Sequence, residues 1–285
     1  MSTTKCMIAG LPESGKSTYI GALWYCLRHP VDDKMPKLIA DNNDLPDDIG
    51  VLNKLGDAYK SMKSITRTNS NEESESVCIN LIDPETKKTI QVEVPDFLGE
   101  TFRDLVKLEE SELLKGWIDK ADYLLYFISD ISVVEFEDDY GSEDDETTAP
   151  AKEIPPFDVT TISSAAMNIM VLKSLLSKKK FEKIVIALSL WDKMTDNGKK
   201  ANNPKKYLEE NSPALYNYIM NNIQNVQIIG LSAQGCEYPK DNANEYKEKK
   251  KEVRQQTKEG NRSFVEDGDD IIYDLSIPLY LLLSK

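Results

Sequence analysis

The chain has 285 residues, 40% of them hydrophobic, a single histidine and a formal net charge of -14. That length suits one large domain or two small ones with a sizeable core, and so acidic a chain lacks the basic surface that coating nucleic acid requires. No segment approaches the ~20 apolar residues of a membrane span, and nothing reads as a secretory leader. The four cysteines, Cys6, Cys26, Cys78 and Cys236, are scattered without a CxxC pair. With His29 as the lone imidazole, this argues for reduced thiols in a cytoplasmic protein and against a zinc site.

In chain order, residues 5–9 read as a first strand and 16–27 as a helix, with Ile20, Leu23, Trp24 and Leu27 on one face. Trp24, like Trp117 further on, reads as core. A polar, turn-rich stretch leads into a second helix over 47–63, carrying Ile49, Leu52, Leu55 and Tyr59 on one side. Residues 77–82 and 90–94 are two strands joined by DPETKKT. That connection is too short for a parallel crossover, so the pair should form an antiparallel hairpin. A helix over 109–120, a strand over 122–129, a long amphipathic helix over 160–179 and a strand over 183–190 follow. Residues 204–222 read as a helical region interrupted near Pro213, residues 226–231 as the last strand, and 275–284 as a closing helix with Pro278 in its first turn.

Strands alternating with helices imply a three-layer α/β fold with a mostly parallel sheet. No convincing linker divides the chain. The expectation is one domain over 1–285, with inserted segments near 30–75, 135–156 and 239–268. The acidic block over 138–146 reads as a solvated loop that could also dock a basic partner.

Residues 8–18, IAGLPESGKST, contain the complete G-x-x-x-x-G-K-[ST] phosphate-binding pattern between a strand and a helix. Gly10 and Gly15 let the backbone curl so that successive N–H groups face phosphate oxygens, and the helix adds its positive end. Lys16 supplies charge to the β- and γ-phosphates, and the Ser17 hydroxyl is a Mg²⁺ ligand. Glu13, Ser14 and Thr18 complete the candidate nucleotide-binding loop. A second signal is VPDFLGE, in which Asp96 closes a strand and is followed by Gly99 and Glu100. Beside a phosphate loop, Asp96 can hold Mg²⁺ through water and the Gly99 N–H can sense the γ-phosphate.

With the hairpin between these two motifs, the sequence resembles the Ras-like and translation-factor-related GTPases, which implies a P-loop fold with one antiparallel edge strand. The family's base-reading [NT]-K-x-D falls on Ser189, Leu190, Trp191 and Asp192. Asp192 matches and would accept hydrogen bonds from guanine, or else it caps the next turn; Ser189 and Leu190 depart from the pattern. GLSAQG resembles the family's Ser-Ala-Lys loop and places Ser232, Ala233 and Gln234 at the base. Glu100 stands where Ras-like enzymes carry a water-orienting glutamine; it can accept a hydrogen bond from water or merely cap a helix. Thr68, with Thr66 as the alternative, is the candidate switch threonine completing the Mg²⁺ shell, in a polar segment expected to be a mobile switch loop. Arg103 is a nearby cation that reads more simply as a solvated helix residue.

GLPESGKSTYIGALW, VPDFLGE, GLSAQG and the terminal LSIP helix together look closest to the bacterial double-GTPase families. The resemblance implies slow GTP hydrolysis with GTP/GDP and Mg²⁺ as ligands, a second GTPase subunit and effector proteins as partners, and a place in bacterial defence. Two alternatives stay open. One is a nucleotide-binding scaffold with decayed chemistry, beside an active GTPase. The other is an ATP-dependent phosphotransferase, which the dispersed arginines disfavour.

Overall fold

A computed structural model describes residues 4–31, 34–41, 44, 49–63, 77–94, 112–132, 162–195, 203–238 and 243–284. Thr66, Thr68, Asp96, Gly99, Glu100, Arg103 and the 138–146 acidic block lie outside them.

The described strands form one sheet in the order β2-β3-β4-β1-β5-β6-β7-β8-β9. They are β1 (Thr4–Gly10), β2 (Ile39–Ala40), β3 (Val77–Ile82), β4 (Thr89–Val94), β5 (Tyr123–Ile128), β6 (Lys183–Ser189), β7 (Val226–Ser232), β8 (Phe264–Asp267) and β9 (Asp270–Ile272). The 77–94 hairpin is antiparallel, as its short connection requires, with Val77 opposite Val94 and Ile82 opposite Thr89. β4, β1, β5, β6 and β7 run parallel to one another. The expected single antiparallel edge is too few: β2–β3, β7–β8 and β8–β9 are antiparallel as well. Residues 226–231 are accordingly not the last strand. β8 and β9 form a tight hairpin through Gly268 at φ +63°, at the end of the inserted segment expected near 239–268 and just beyond it. β2, at two residues, is too short to show a period.

Eight helices of a turn or more flank this sheet among the described residues, with one short turn-like helix. α1 is Lys16–Arg28, α2 Ile49–Ser61, α3 Glu112–Lys120, α4 Ser164–Lys178, α5 Trp191–Met194, α6 Pro204–Asn211, α7 Pro213–Asn222, α8 Ala243–Glu259 and α9 Ile277–Leu283. The break at Pro213 falls between α6 and α7, and Pro278 sits in the first turn of α9, as proline chemistry predicts. The central strands are buried on both faces, the condition for parallel strands between helical layers. Cys6 and Ile8 face the cluster built with α1, α2 and α9, around Tyr19, Leu23, Trp24, Leu52 and Leu279. Met7 and Ala9 alternate onto the other face, against Leu114 and Trp117 of α3, Leu172 of α4, Leu208 of α6 and Leu215 of α7. This period of two is the pleat itself. A third small cluster of Met62, Cys236 and Val253 joins α8 to the ends of α2 and β7.

α1 and α2 cross closely because glycines face each other. A Cβ at Gly21 would lie 2.6 Å from the Leu55 carbonyl oxygen, and one at Gly56 would lie 3.7 Å from the Gly21 oxygen. The Trp24 indole N–H donates to Asn53 Oδ1 at 3.0 Å across the same contact. All four cysteines are free. Among the described residues, no helix is long and apolar enough to cross a membrane.

Candidate functional site

Parallel strands bring their C-terminal ends, and so their following loops, to one edge of the sheet. Gly10 is level with Phe127, Ile128 with Leu188, and Ser189 with Leu231. The loops after β1, β5, β6 and β7 therefore emerge together, and these carry the described site candidates.

The first loop, Gly10–Gly15, turns through three left-handed residues: Gly10 at φ 151°, Glu13 at φ 62° and Gly15 at φ 86°. At Gly10 the requirement is also spatial, since a Cβ would stand 2.6 Å from the Phe127 carbonyl oxygen and 2.8 Å from Ser14 Oγ. Gly15 is the N-cap of α1 and brings no side chain to satisfy the first-turn N–H groups. Orphan donors and a positive helix end of this kind suit an anion. Ser17 and Thr18 are half-buried in that turn.

Lys16 points back into its own loop. Its ammonium donates to the Gly10 and Leu11 carbonyls, both at 2.8 Å, and to Ser14 Oγ at 3.0 Å. Burial lowers its pKa to about 7, because removing an ammonium from water disfavours the charged form. An arriving phosphate would offer this group a charge-assisted partner.

Ser189, which departs from the family pattern, is placed beside this loop: its hydroxyl donates to the Ser14 carbonyl at 2.6 Å. Leu190 follows in the left-handed region at φ 54° as the N-cap of α5. Asp192 is 4% exposed, and its Oδ1 accepts from Ser232 Oγ at 2.6 Å. The same Ser232 hydroxyl accepts the Gly235 N–H at 3.1 Å. Asp192 and the 232–235 loop, 40 residues apart in sequence, are thus one hydrogen-bonded unit.

Two supports of this unit lie in elements the sequence reading did not resolve. The Trp191 ring is fully buried against Gly230, where a Cβ would stand 2.5 Å from the indole. Its N–H donates to Glu266 Oε2 at 2.6 Å, while Glu266 Oε1 accepts the Asn203 N–H at 3.2 Å. Glu266 is a fully buried carboxylate on β8, and an acid between Val265 and a following Asp-Gly turn was its only sequence signal. Arg262 and Ser263, just before β8, hold the 232–235 loop from behind. Arg262 Nε donates to the Gln234 carbonyl at 3.0 Å and Ser263 Oγ to the Ala233 carbonyl at 2.7 Å. Tyr59 of α2 packs its ring 3.7 Å from the guanidinium carbon and shares a 2.7 Å hydroxyl contact with Ser263.

Of the proposed Mg²⁺ ligands, only Ser17 is among the described residues. No cluster of His, Cys, Asp or Glu suited to a metal ion occurs among the described residues.

Comparison with protein families matches the model described as Double-GTPase 1 over residues 7–282. The chain belongs to the Double-GTPase 1 family. Comparison with curated proteins gives no match. Among solved structures, this family member is similar to a bacterial selenocysteine-specific elongation factor, EF-Sec, at 13% identity and TM-score 0.39, over 82% of this chain and 26% of that one. It spans about a quarter of that factor's length. It is similar also to the signal recognition particle receptor SRb–GTP/SRX complex from Chaetomium thermophilum, at 12% identity and TM-score 0.36, over 87% of this chain and 96% of that one. A third is the S. cerevisiae Ski7 GTPase-like domain bound to GDP and inorganic phosphate, at 14% identity and TM-score 0.42, over 90% of this chain and 50% of that one.

Proposed function

We propose that this chain is a single-domain guanine-nucleotide switch that hydrolyses GTP slowly. The observation that carries the reading is the meeting, at one sheet edge, of the Lys16 loop with the Asp192–Ser232 unit, joined by Ser189. In a GTPase family member, this arrangement supports phosphates on the 10–18 loop and a base beside Asp192, Ala233 and Gln234.

In this reading Lys16 releases the Gly10 and Leu11 carbonyls and turns its ammonium to the phosphates. The loop and first-turn N–H groups hold the remaining oxygens. Asp192, oriented by Ser232, accepts the N1–H and exocyclic amine of guanine, a pair of donors that adenine does not present at that edge. Leu190 lays an aliphatic side chain on the base face in place of a lysine stem. Ser17, with Asp96 and Thr68, would hold Mg²⁺, which neutralises phosphate charge when bound. Gly99 and Glu100 would report and serve the γ-phosphate end. Without a glutamine there, we expect turnover to be slow and to rise with a protein partner, namely a second GTPase subunit acting with an effector in bacterial defence.

The test is titration of nucleotide-stripped protein with GTP, GDP and ATP in Mg²⁺, followed by phosphate release on the same sample. Guanine preference with multiple-turnover release is the expected result. Guanine binding without release would leave the scaffold reading, and equal or tighter ATP binding would overturn Asp192 as a base reader.

A further inference from the structure

At the far end of α1, Cys26 lies ten residues beyond Lys16, about 15 Å along the helix. There the structure holds a cavity of about 350 Å³, within the size range of small-molecule pockets. Leu23, Cys26 and Leu27 of α1, Val31 beyond it, and Ile272 and Leu275 at the β9 end form apolar walls. Tyr59, Arg262 and Ser263 close the inner end.

Arg262 is the unusual member. It is 3% exposed, yet no carboxylate forms an ion pair with it among the described residues. Its hydrogen bonds go to neutral oxygens: the Gln234 carbonyl, the Thr257 hydroxyl at 3.4 Å and the Tyr238 hydroxyl at 2.9 Å. Those contacts use three of the five N–H donors of a guanidinium. With the faces of the Tyr59 and Tyr238 rings, these contacts leave the buried cation without a balancing carboxylate among the described residues. The one acid in the lining among the described residues, Asp274, is turned to other work, accepting the Lys37 N–H at 2.7 Å and the Ser276 N–H at 2.8 Å. Lys34 adds a second cation at the rim, beside the half-exposed Tyr273. Burial pushes the Cys26 thiol up to about 11.

We propose that this cavity binds a small amphipathic anion: an apolar or aromatic body with one carboxylate, sulfonate or phosphate group that meets Arg262. The apolar walls take the body, and the guanidinium takes the charge.

Occupancy would also be felt at the nucleotide end. Arg262 and Ser263 hold the Gln234 and Ala233 carbonyls, and Tyr59 packs on both. An anion drawing on Arg262 therefore changes the backing of the 232–235 loop. This coupling rests on the reading of that loop as a base contact; the site itself does not.

The probes are 1-anilinonaphthalene-8-sulfonate and its neutral analogue N-phenyl-1-naphthylamine, titrated by fluorescence on the full chain. The anion should bind about ten- to a hundredfold more tightly, the value of a charge-assisted hydrogen bond. Val31→Trp, which fills the cavity from its outer wall, should abolish binding of both. Arg262→Gln should bring the anion down to the affinity of the neutral probe; if that variant does not fold, the probe pair and Val31→Trp still decide. Equal affinity of the two probes, or anion binding unchanged in Val31→Trp, would overturn the proposal. For the coupling, GDP affinity is measured with and without saturating sulfonate. A change in the natural chain that vanishes in Val31→Trp supports it, and no change refutes the coupling alone. Absence of any GDP binding would refute the proposed function, while the probe titrations still judge the cavity.

Discussion

Replacing Gly21 with alanine tests whether the α1–α2 contact is as close as the structure shows. In an isolated helix the change stabilises by about 1 kcal/mol. Here the new Cβ would stand 2.6 Å from the Leu55 carbonyl oxygen, 2.8 Å from its carbon and 3.0 Å from its Cβ. Two of those atoms are backbone and have no rotamer to escape through. Reaching ordinary contact at 3.4 Å means moving α2 away by about 0.8 Å, enough to forfeit a quarter to a half of each dispersion contact along the seam. Overpacking costs about 1–3 kcal/mol, and a backbone clash belongs at the upper end. After the helix-propensity gain, a net loss of about 2 kcal/mol remains, or a midpoint lower by about 4–8 °C.

Two controls carry the same chemistry without the clash. A Cβ at Gly116 in α3 meets nothing within 4 Å, and one at Gly56 meets only ordinary contacts of 3.6 Å and more. Both should be neutral or stabilise by up to about 1 kcal/mol. Thermal and urea unfolding of the three variants, followed by circular dichroism, decide the matter. If Gly21→Ala is as stable as Gly116→Ala, the close crossing is wrong, and with it the placement of Tyr59 behind the 232–235 loop.

Ser189→Ala removes the 2.6 Å bond to the Ser14 carbonyl; GDP affinity should fall about two- to tenfold in isothermal titration, with the unfolding midpoint nearly unchanged. Glu266→Leu strips the acceptor from the buried Trp191 indole and the Asn203 N–H. It should cost at least about 2 kcal/mol of stability and narrow the GTP-over-ATP affinity ratio, whereas Glu266→Gln, keeping one carbonyl for the indole, should retain more of both. Lys16 carries a pH prediction. Its folded pKa, about 7, lies below that of an unfolded lysine, so between the two values the unfolded chain holds more protons. Stability of the nucleotide-free protein should therefore rise with pH across that window. Phosphate needs the charged form, so GDP affinity should fall, by close to tenfold per pH unit above about 7.5. Lys16→Arg, which stays protonated, should flatten this binding profile, and an unchanged slope would refute the assignment.

The turn at 10–16 was legible because the motif's residue types also dictate its local geometry. Gly10, Gly15 and Lys16 announce a strand–turn–helix, and the structure places a left-handed turn there, with Lys16 folded into it. The 77–94 hairpin was legible for a similar reason: a short connection leaves parallel pairing no room. What was missed lies where side chains serve partners distant in sequence. Ser189 read as a departure from a motif, yet its hydroxyl reaches Ser14, 175 residues away. Glu266 and Arg262 fall within the 239–268 segment, which the sequence marks only as an insertion, because no local period distinguishes a buried acid from a solvated one. Only the antiparallel β7–β8 pairing, Gly230 opposite Glu266, sets that carboxylate under the Trp191 indole. The same pairing brings Arg262 and Ser263 behind Ala233 and Gln234. The β8–β9 hairpin is thus a buttress for the loops after β6 and β7. The Asp192 and 232–235 edge, proposed to read the base, is held in shape by Glu266 of β8 and by Arg262 and Ser263 just before it.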